Sequence, residues 1–374
     1  MNSRIADIEI LRGFAVLFVV IFHAQGNLFT WSTDGMSLFY TYFWGWFGVD
    51  LFFVISGFVI ARGLVPRLLS SKTQEIAVRS VLAFWVRRAW RLWPAAWLWL
   101  GLILLASVFF NSSGAFGGFR SNFEATVVGV LQVANIRFAE TFMQQPYGAS
   151  FHYWSLSLEE QFYLLLPLMV LFFRRFLPFC LITIILLQFF SERTTLLMVF
   201  RTDALSFGVL LALWTKHSSY ELFKPVFLRN WRTGTVLMMA CFVFMGALGS
   251  EKLHLVSIKV GMLALLSALL VWIASYDADF LLRQGVLKRV MVWLGSRSYA
   301  IYLIHVPAFF LVREFFFRFD SGRALGDDFF WPFALSAFFL ILILSELNYR
   351  FVELPLRNRG ALAAARIESH GVVK

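Results

Sequence analysis

Charge is scarce in this chain. Asp, Glu, Lys and Arg make up 15% of its 374 residues, against about 25% in an ordinary soluble domain. Cysteine is scarcer still. Cys180 and Cys241 both sit in apolar stretches, which leaves no disulfide framework and no thiolate metal site. The six histidines, at positions 23, 152, 217, 254, 305 and 370, lack metal-ligand spacing. A Gly-x-Ser-x-Gly nucleophile elbow is missing, and so are a phosphate-cradling Gly-rich loop and a Gly-x-Gly-x-x-Gly fingerprint. The chemistry carried by those motifs is set aside. What the chain has in abundance is apolar surface. It is 60% hydrophobic before glycine is counted, with 45 Phe and 14 Trp. A soluble domain reaches only about 45–50% with glycine included. No aqueous fold hides so much apolar surface, so the chain reads as an all-α, polytopic membrane protein.

A spanning helix needs about 20 mostly apolar residues. Ten segments qualify: 8–28, 44–63, 92–110, 155–173, 176–190, 202–215, 233–249, 257–275, 298–317 and 330–350. The first is read as a retained helix, because no small-residue cleavage site follows it. An eleventh segment, 125–138, reaches only about 21 Å, short of the ~30 Å hydrocarbon core. Basic residues decide its place. If it does not span, the loops that share a side with both termini hold 23 Lys and Arg against 9 on the other side. If it does, the asymmetry largely cancels. The reading is therefore about ten spans in a single bundle with both termini cytoplasmic. Segment 111–154 becomes an outer loop with a re-entrant or surface helix. The net charge of +11 then records orientation and needs no nucleic acid.

Ionisable groups at membrane depth are costly and mark function by default. Arg12 and His23 lie 11 residues apart in the first span. That is about 1100° of rotation, so they share a face, with ~16 Å between them along the axis. Arg12 is expected near the cytoplasmic end and His23 in the outer half. Glu159 and Glu160, in His152-Tyr-Trp154-Ser-Leu-Ser-Leu-Glu159-Glu160-Gln161-Phe162-Tyr163, reach a similar depth, as does Asp50. A carboxylate beside an imidazole fixes its tautomer and raises its basicity, as a general base requires. The other reading is a buried charge network joining helices, with Arg201 or Arg137 as partner; Asp50 leans that way. His305 either faces the same cavity or hydrogen-bonds a neighbouring helix. Arg201 and Asp203 read as a local ion pair. The inner loop Arg87-Arg88-Ala-Trp90-Arg91-Leu-Trp93-Pro94 is an orientation signal, or a site for a phosphate-rich ligand that guanidinium forks would match.

Taken in order, these motifs resemble the acyltransferase-3 family of integral membrane O-acyltransferases over residues 5–358. The resemblance rests on Leu11-Arg12 with His23, Gly48-Val-Asp50-Leu-Phe-Phe-Val-Ile-Ser56-Gly57, and the Arg88-x-x-Arg91-x-x-Pro94 turn. It continues through Trp154 to Tyr163 with Pro167, Arg201-Thr-Asp203, Ser298-Tyr-Ala-Ile-Tyr302-Leu-Ile-His305 and Tyr349-Arg350-Phe-Val-Glu353-Leu-Pro355. Glu9 stands where the family more often has Asp. The resemblance implies a membrane domain at 1–358 followed by a short cytoplasmic tail at 359–374, without the periplasmic esterase-like domain of some relatives. It also implies an acyl-CoA donor, usually acetyl-CoA, on the cytoplasmic side of a bacterial inner membrane, a hydroxyl acceptor on the outer side, and no metal. Arg12 and His23 are the expected essential pair, with Glu159 or Glu160 orienting the imidazole. Arg12, Arg88 and Arg91 are expected to hold the donor. Asp50, Ser56, Tyr302 and His305 are candidates to line the cavity. A carbohydrate or glycolipid acceptor fits, whether lipopolysaccharide, exopolysaccharide, a peptidoglycan sugar, a macrolide-type molecule or a secreted oligosaccharide. A transporter or glycan flippase is the rival reading.

Overall fold

Inside lipid a backbone must satisfy its own hydrogen bonds, so apolar segments fold as helices. The computed structural model describes residues 5–191, 193–250, 252–253, 255–256, 258–319 and 326–369. Among them helix dominates and no β-strand forms. In chain order the helices begin with α1 (Ala6–Asn27), α2 (Asp34–Tyr42), α3 (Gly48–Leu69), α4 (Gln74–Phe109), α5 (Phe119–Val130), α6 (Ala134–Thr141) and α7 (Tyr153–Phe173). They continue with α8 (Leu177–Phe190), α9 (Thr195–Val199), α10 (Asp203–Trp214), α11 (Ser219–Leu222), α12 (Trp231–Gly249) and α13 (Lys259–Ser275). The last four are α14 (Val286–Ser296), α15 (Ser298–Phe319), α16 (Phe330–Asn348) and α17 (Leu354–Ser369).

Each of the ten apolar segments is helical, but they are not ten separate long helices. Among the described residues, seven helical stretches are long and apolar enough to cross a membrane, and Lys259–Ser275 is a shorter apolar helix. The expected spans 155–173 and 176–190 form one stretch. It is broken only by a 3-10 turn at Arg174–Phe176, where Arg174 takes φ 39°. The expected inner loop 62–91 also differs. Thr73 caps Ile76, and α4 then runs 36 residues through Arg87, Arg88 and Arg91, about 54 Å at 1.5 Å per residue. The Arg88–Pro94 segment is thus the interior of a helix, not a turn. Helix α17 packs along this half of α4, with Gly360 against the Trp90 ring and Glu368 accepting from Arg87 at 2.9 Å. The segment 125–138 is two helices, α5 and α6, because Gln132 adopts φ 60° between them.

Of the seven long apolar stretches among the described residues, those of α3 and α15 are the most enclosed. Lipid gives helices no hydrophobic drive to associate, so small residues at crossings decide how close they come. The crossing of α3 with α10 shows this. A Cβ on Gly57 would strike the Leu205 carbonyl, and one on Gly208 would strike the Val54 carbonyl. Outside the bundle, the 111–152 segment is pinned by side chains. Glu314, fully buried near the end of α15, accepts from the Ser112 and Ser113 N–H groups at 2.8 and 2.7 Å and from Arg318. Asn122 donates to the Phe116 carbonyl and accepts from the Ala149 N–H. Gln161 of α7 donates to the Gln132 carbonyl and the Asn135 side chain.

Candidate active site

Four helices and α1 enclose a cavity of about 80 Å³. Arg12 enters from α1, Arg88 and Arg91 from α4, Ser56 from α3, Glu159 from α7 and Tyr302 from α15. Residues predicted from separate parts of the chain therefore share one space. Arg12 also contacts Glu9 one turn back, at 3.3 Å. The Arg88 guanidinium lies 5.7 Å from the Tyr163 ring centre. Glu159 accepts from both Ser56 and Tyr163. Glu160 is the next residue along, and 100° of helix rotation turns it towards α4, where Trp93 donates to it at 3.3 Å. The two carboxylates thus face different helices.

Tyr302 closes the cavity on one side. Its hydroxyl stands 2.6 Å from Ser155 Oγ and donates to the His152 carbonyl at 3.1 Å. Beyond it lie three histidines, His23 from α1, His305 from α15 and His152 from the turn just before α7. His23 Nδ1 is 2.8 Å from His305 Nε2, with the rings almost parallel and 5.1 Å apart. His305 Nδ1 is 2.7 Å from the Tyr302 carbonyl. The His152 ring packs 5.1 Å from His305, and Phe151 meets His23 edge-on. His305 and His152 are fully buried, whereas His23 is half-buried. The expected Glu159 or Glu160 contact to His23 is therefore replaced by His305. His217 sits apart, against Ser219; His254 and His370 lie outside the described residues. No group of His, Cys, Asp and Glu among the described residues is arranged to hold a metal.

Asp50 and Arg201 are not part of the cavity wall. They form a buried pair at 3.4 Å, and Arg201 packs between the Trp46 and Trp154 rings. The expected local pair of Arg201 with Asp203 is corrected accordingly. Asp203 opens α10 and takes Arg193 at 2.5 Å, which leaves Arg201 to reach α3. Arg137, the other expected partner, binds Glu124 at 2.7 Å instead.

Sequence reasoning passed over Ser155 and Tyr163. Both were findable. Ser155, Glu159 and Tyr163 recur every four residues, which puts them on one face of the helix. The His23–His305 contact has no such signal, because it joins positions 282 apart.

A membrane bundle with a basic cavity beside a buried histidine cluster is the setting in which family membership becomes informative. The family model described as an acyltransferase domain matches residues 5–347, and the chain belongs to this acyltransferase-3 family. Among curated proteins it is similar to the peptidoglycan O-acetyltransferase OatA of Listeria monocytogenes, 28% identical over 96% of this chain and 57% of that one. It is similar to the putative peptidoglycan O-acetyltransferase YrhL of Bacillus subtilis, 26% identical over 98% of this chain and 57% of that one. The O-acetyltransferase OatA of Staphylococcus aureus is 26% identical over 95% and 57%. The chain thus spans little more than half the length of these relatives. No solved structure matches it.

Proposed function

We propose that this multi-pass membrane protein is an O-acyltransferase that moves an acetyl group from acetyl-CoA, or a related acyl-CoA, to a sugar hydroxyl of peptidoglycan. The observation that carries the reading is the shared cavity of Arg12, Arg88 and Arg91. Three guanidinium groups converge on this one cavity, where Glu9 and Glu159 also stand, and their planar donors match phosphate oxygens. The acceptor is taken from the relatives, two of which are named for peptidoglycan. Membership of an acyltransferase family weighs against the transporter reading.

In this reading both termini face the cytoplasm, where the arginines meet the donor, and the protein sits in the bacterial inner membrane. His23 takes the proton of the acceptor hydroxyl on its ring nitrogen as the hydroxyl oxygen bonds to the thioester carbonyl carbon. The carbon–sulfur bond then breaks, and the departing thiolate recovers the proton from His23. Glu159, held by Ser56 and Tyr163, shapes the cavity wall and does not orient the imidazole.

The test is acetyl transfer by the chain in membranes, from labelled acetyl-CoA to peptidoglycan fragments. His23→Ala should abolish transfer at an undiminished membrane level. Arg12→Lys should raise the donor KM or cut the rate, since an ammonium cannot replace the fork. Wild-type rates in both variants would overturn the reading.

A further inference from the structure

The cluster of His23, His152 and His305 lies one residue beyond the cavity and holds a pair that decides which nitrogen of His23 is available. We infer that His305 is the positioning residue for His23, fixing its ring with Nε2 unprotonated; this rests on the proposed role of His23 as base. The Tyr302 carbonyl can only accept, and it faces His305 Nδ1 at 2.7 Å. With both rings neutral, His305 must therefore carry its proton on Nδ1 and donate it to that carbonyl. Its Nε2 is then a lone pair. His23 Nδ1 faces that lone pair at 2.8 Å, so His23 must donate from Nδ1. A neutral imidazole has one proton, and Nε2 of His23 is left with its lone pair for the acceptor hydroxyl. The opposite assignment, with both rings carrying Nε2–H, would keep a bond between the rings but set the bare Nδ1 of His305 against the Tyr302 carbonyl oxygen.

The rest of the geometry keeps the pair in place. His305 is fully buried, with the rings of His152, Tyr302 and Phe309 around it at 5.1, 5.6 and 5.9 Å. Its partner His23 is braced by Phe151. The pair has the logic of a carboxylate-oriented histidine with an imidazole in the carboxylate's place, where a group outside the reaction sets the tautomer of the group inside it. An imidazole does this without placing a net charge in the bundle.

Two measurements test it. The first needs no activity. In the detergent-solubilised full chain with ¹⁵N-labelled histidine, the His23 signals, identified by their loss in His23→Ala, should show Nδ1 protonated and Nε2 bare. An Nε2–H tautomer overturns the pair. The second separates acceptor chemistry from bulk. Gln places a carbonyl oxygen near the position of Nε2, whereas Asn reaches only to that of Nδ1. His305→Asn should lower kcat for acetyl transfer about 10- to 100-fold, the range for losing an orienting partner, with the donor KM unchanged. His305→Gln should restore most of that rate. Equal losses in the two variants at equal membrane levels, or no loss in His305→Asn, overturn the inference. If the wild-type chain transfers nothing, the proposed function fails while the tautomer measurement still decides the pair.

Discussion

Arg201 is among the largest fully buried side chains, and its charge is met by Asp50 rather than by water. Such pairs contribute little net stability, yet removing one member leaves an uncompensated charge. Asp50→Asn should therefore destabilise the protein by about 3–5 kcal/mol, read as a lower thermal midpoint in detergent. Asp50→Leu combined with Arg201→Met should recover most of the loss. A double variant as unstable as the single one would argue that the Trp46 and Trp154 rings, not the charge, set the cost. At this scale the sequence was half legible. Arg12, His23 and Glu159 stand out because a charge or imidazole in an apolar run is conspicuous wherever its partner lies. The network reading of Asp50 with Arg201 is met by their 3.4 Å pair, but the partner of His23 was not readable, because His305 comes from a helix far away in the chain.

Elements were legible where the signal is local. Apolar runs marked the helices of the bundle, and the Ser155–Glu159–Tyr163 stripe needs only helical geometry. The misjudged elements are those where a few residues override composition, such as the Thr73 cap that extends α4 back through the basic segment. The α5–α6 pair is another case, and it carries a pH-dependent tether. Hydrogen bonds from Arg120 and Arg137 hold the Glu124 carboxyl below its ordinary range. A depressed carboxylate lends stability that is fully present above its unfolded value of about 4.3 and is lost as pH falls through the folded value. Cleavage of the 111–152 segment by pepsin should accordingly rise as pH drops below about 4. Glu124→Gln should flatten that dependence, while the Glu314, Asn122 and Gln161 contacts remain. An unchanged pH profile in the variant would remove the tether from the account.

For the whole molecule, hydropathy announces a membrane bundle, but it does not say which helices touch. In water a helix advertises its buried face by being apolar there and polar elsewhere. In lipid both faces are apolar, so the neighbours of α3 could not be read from its residues. Orientation rests on basic residues, and it makes a whole-molecule prediction. A fluorescent protein fused after Lys374 should fold and fluoresce, and alkaline phosphatase inserted in the 111–152 segment should be active. The reverse pattern would place the arginine cavity on the side away from the proposed acyl-CoA donor. The glycine crossing of α3 and α10 adds a matter of timing. Gly208 leaves the ribosome about 150 residues after Gly57, roughly 8–30 s at ordinary synthesis rates. Through that interval the notch at Gly57 lacks the α10 backbone that it meets in the finished bundle. Insertion and assembly are thus separate events for this protein, and a half-made chain is already a membrane resident before its central crossing can exist.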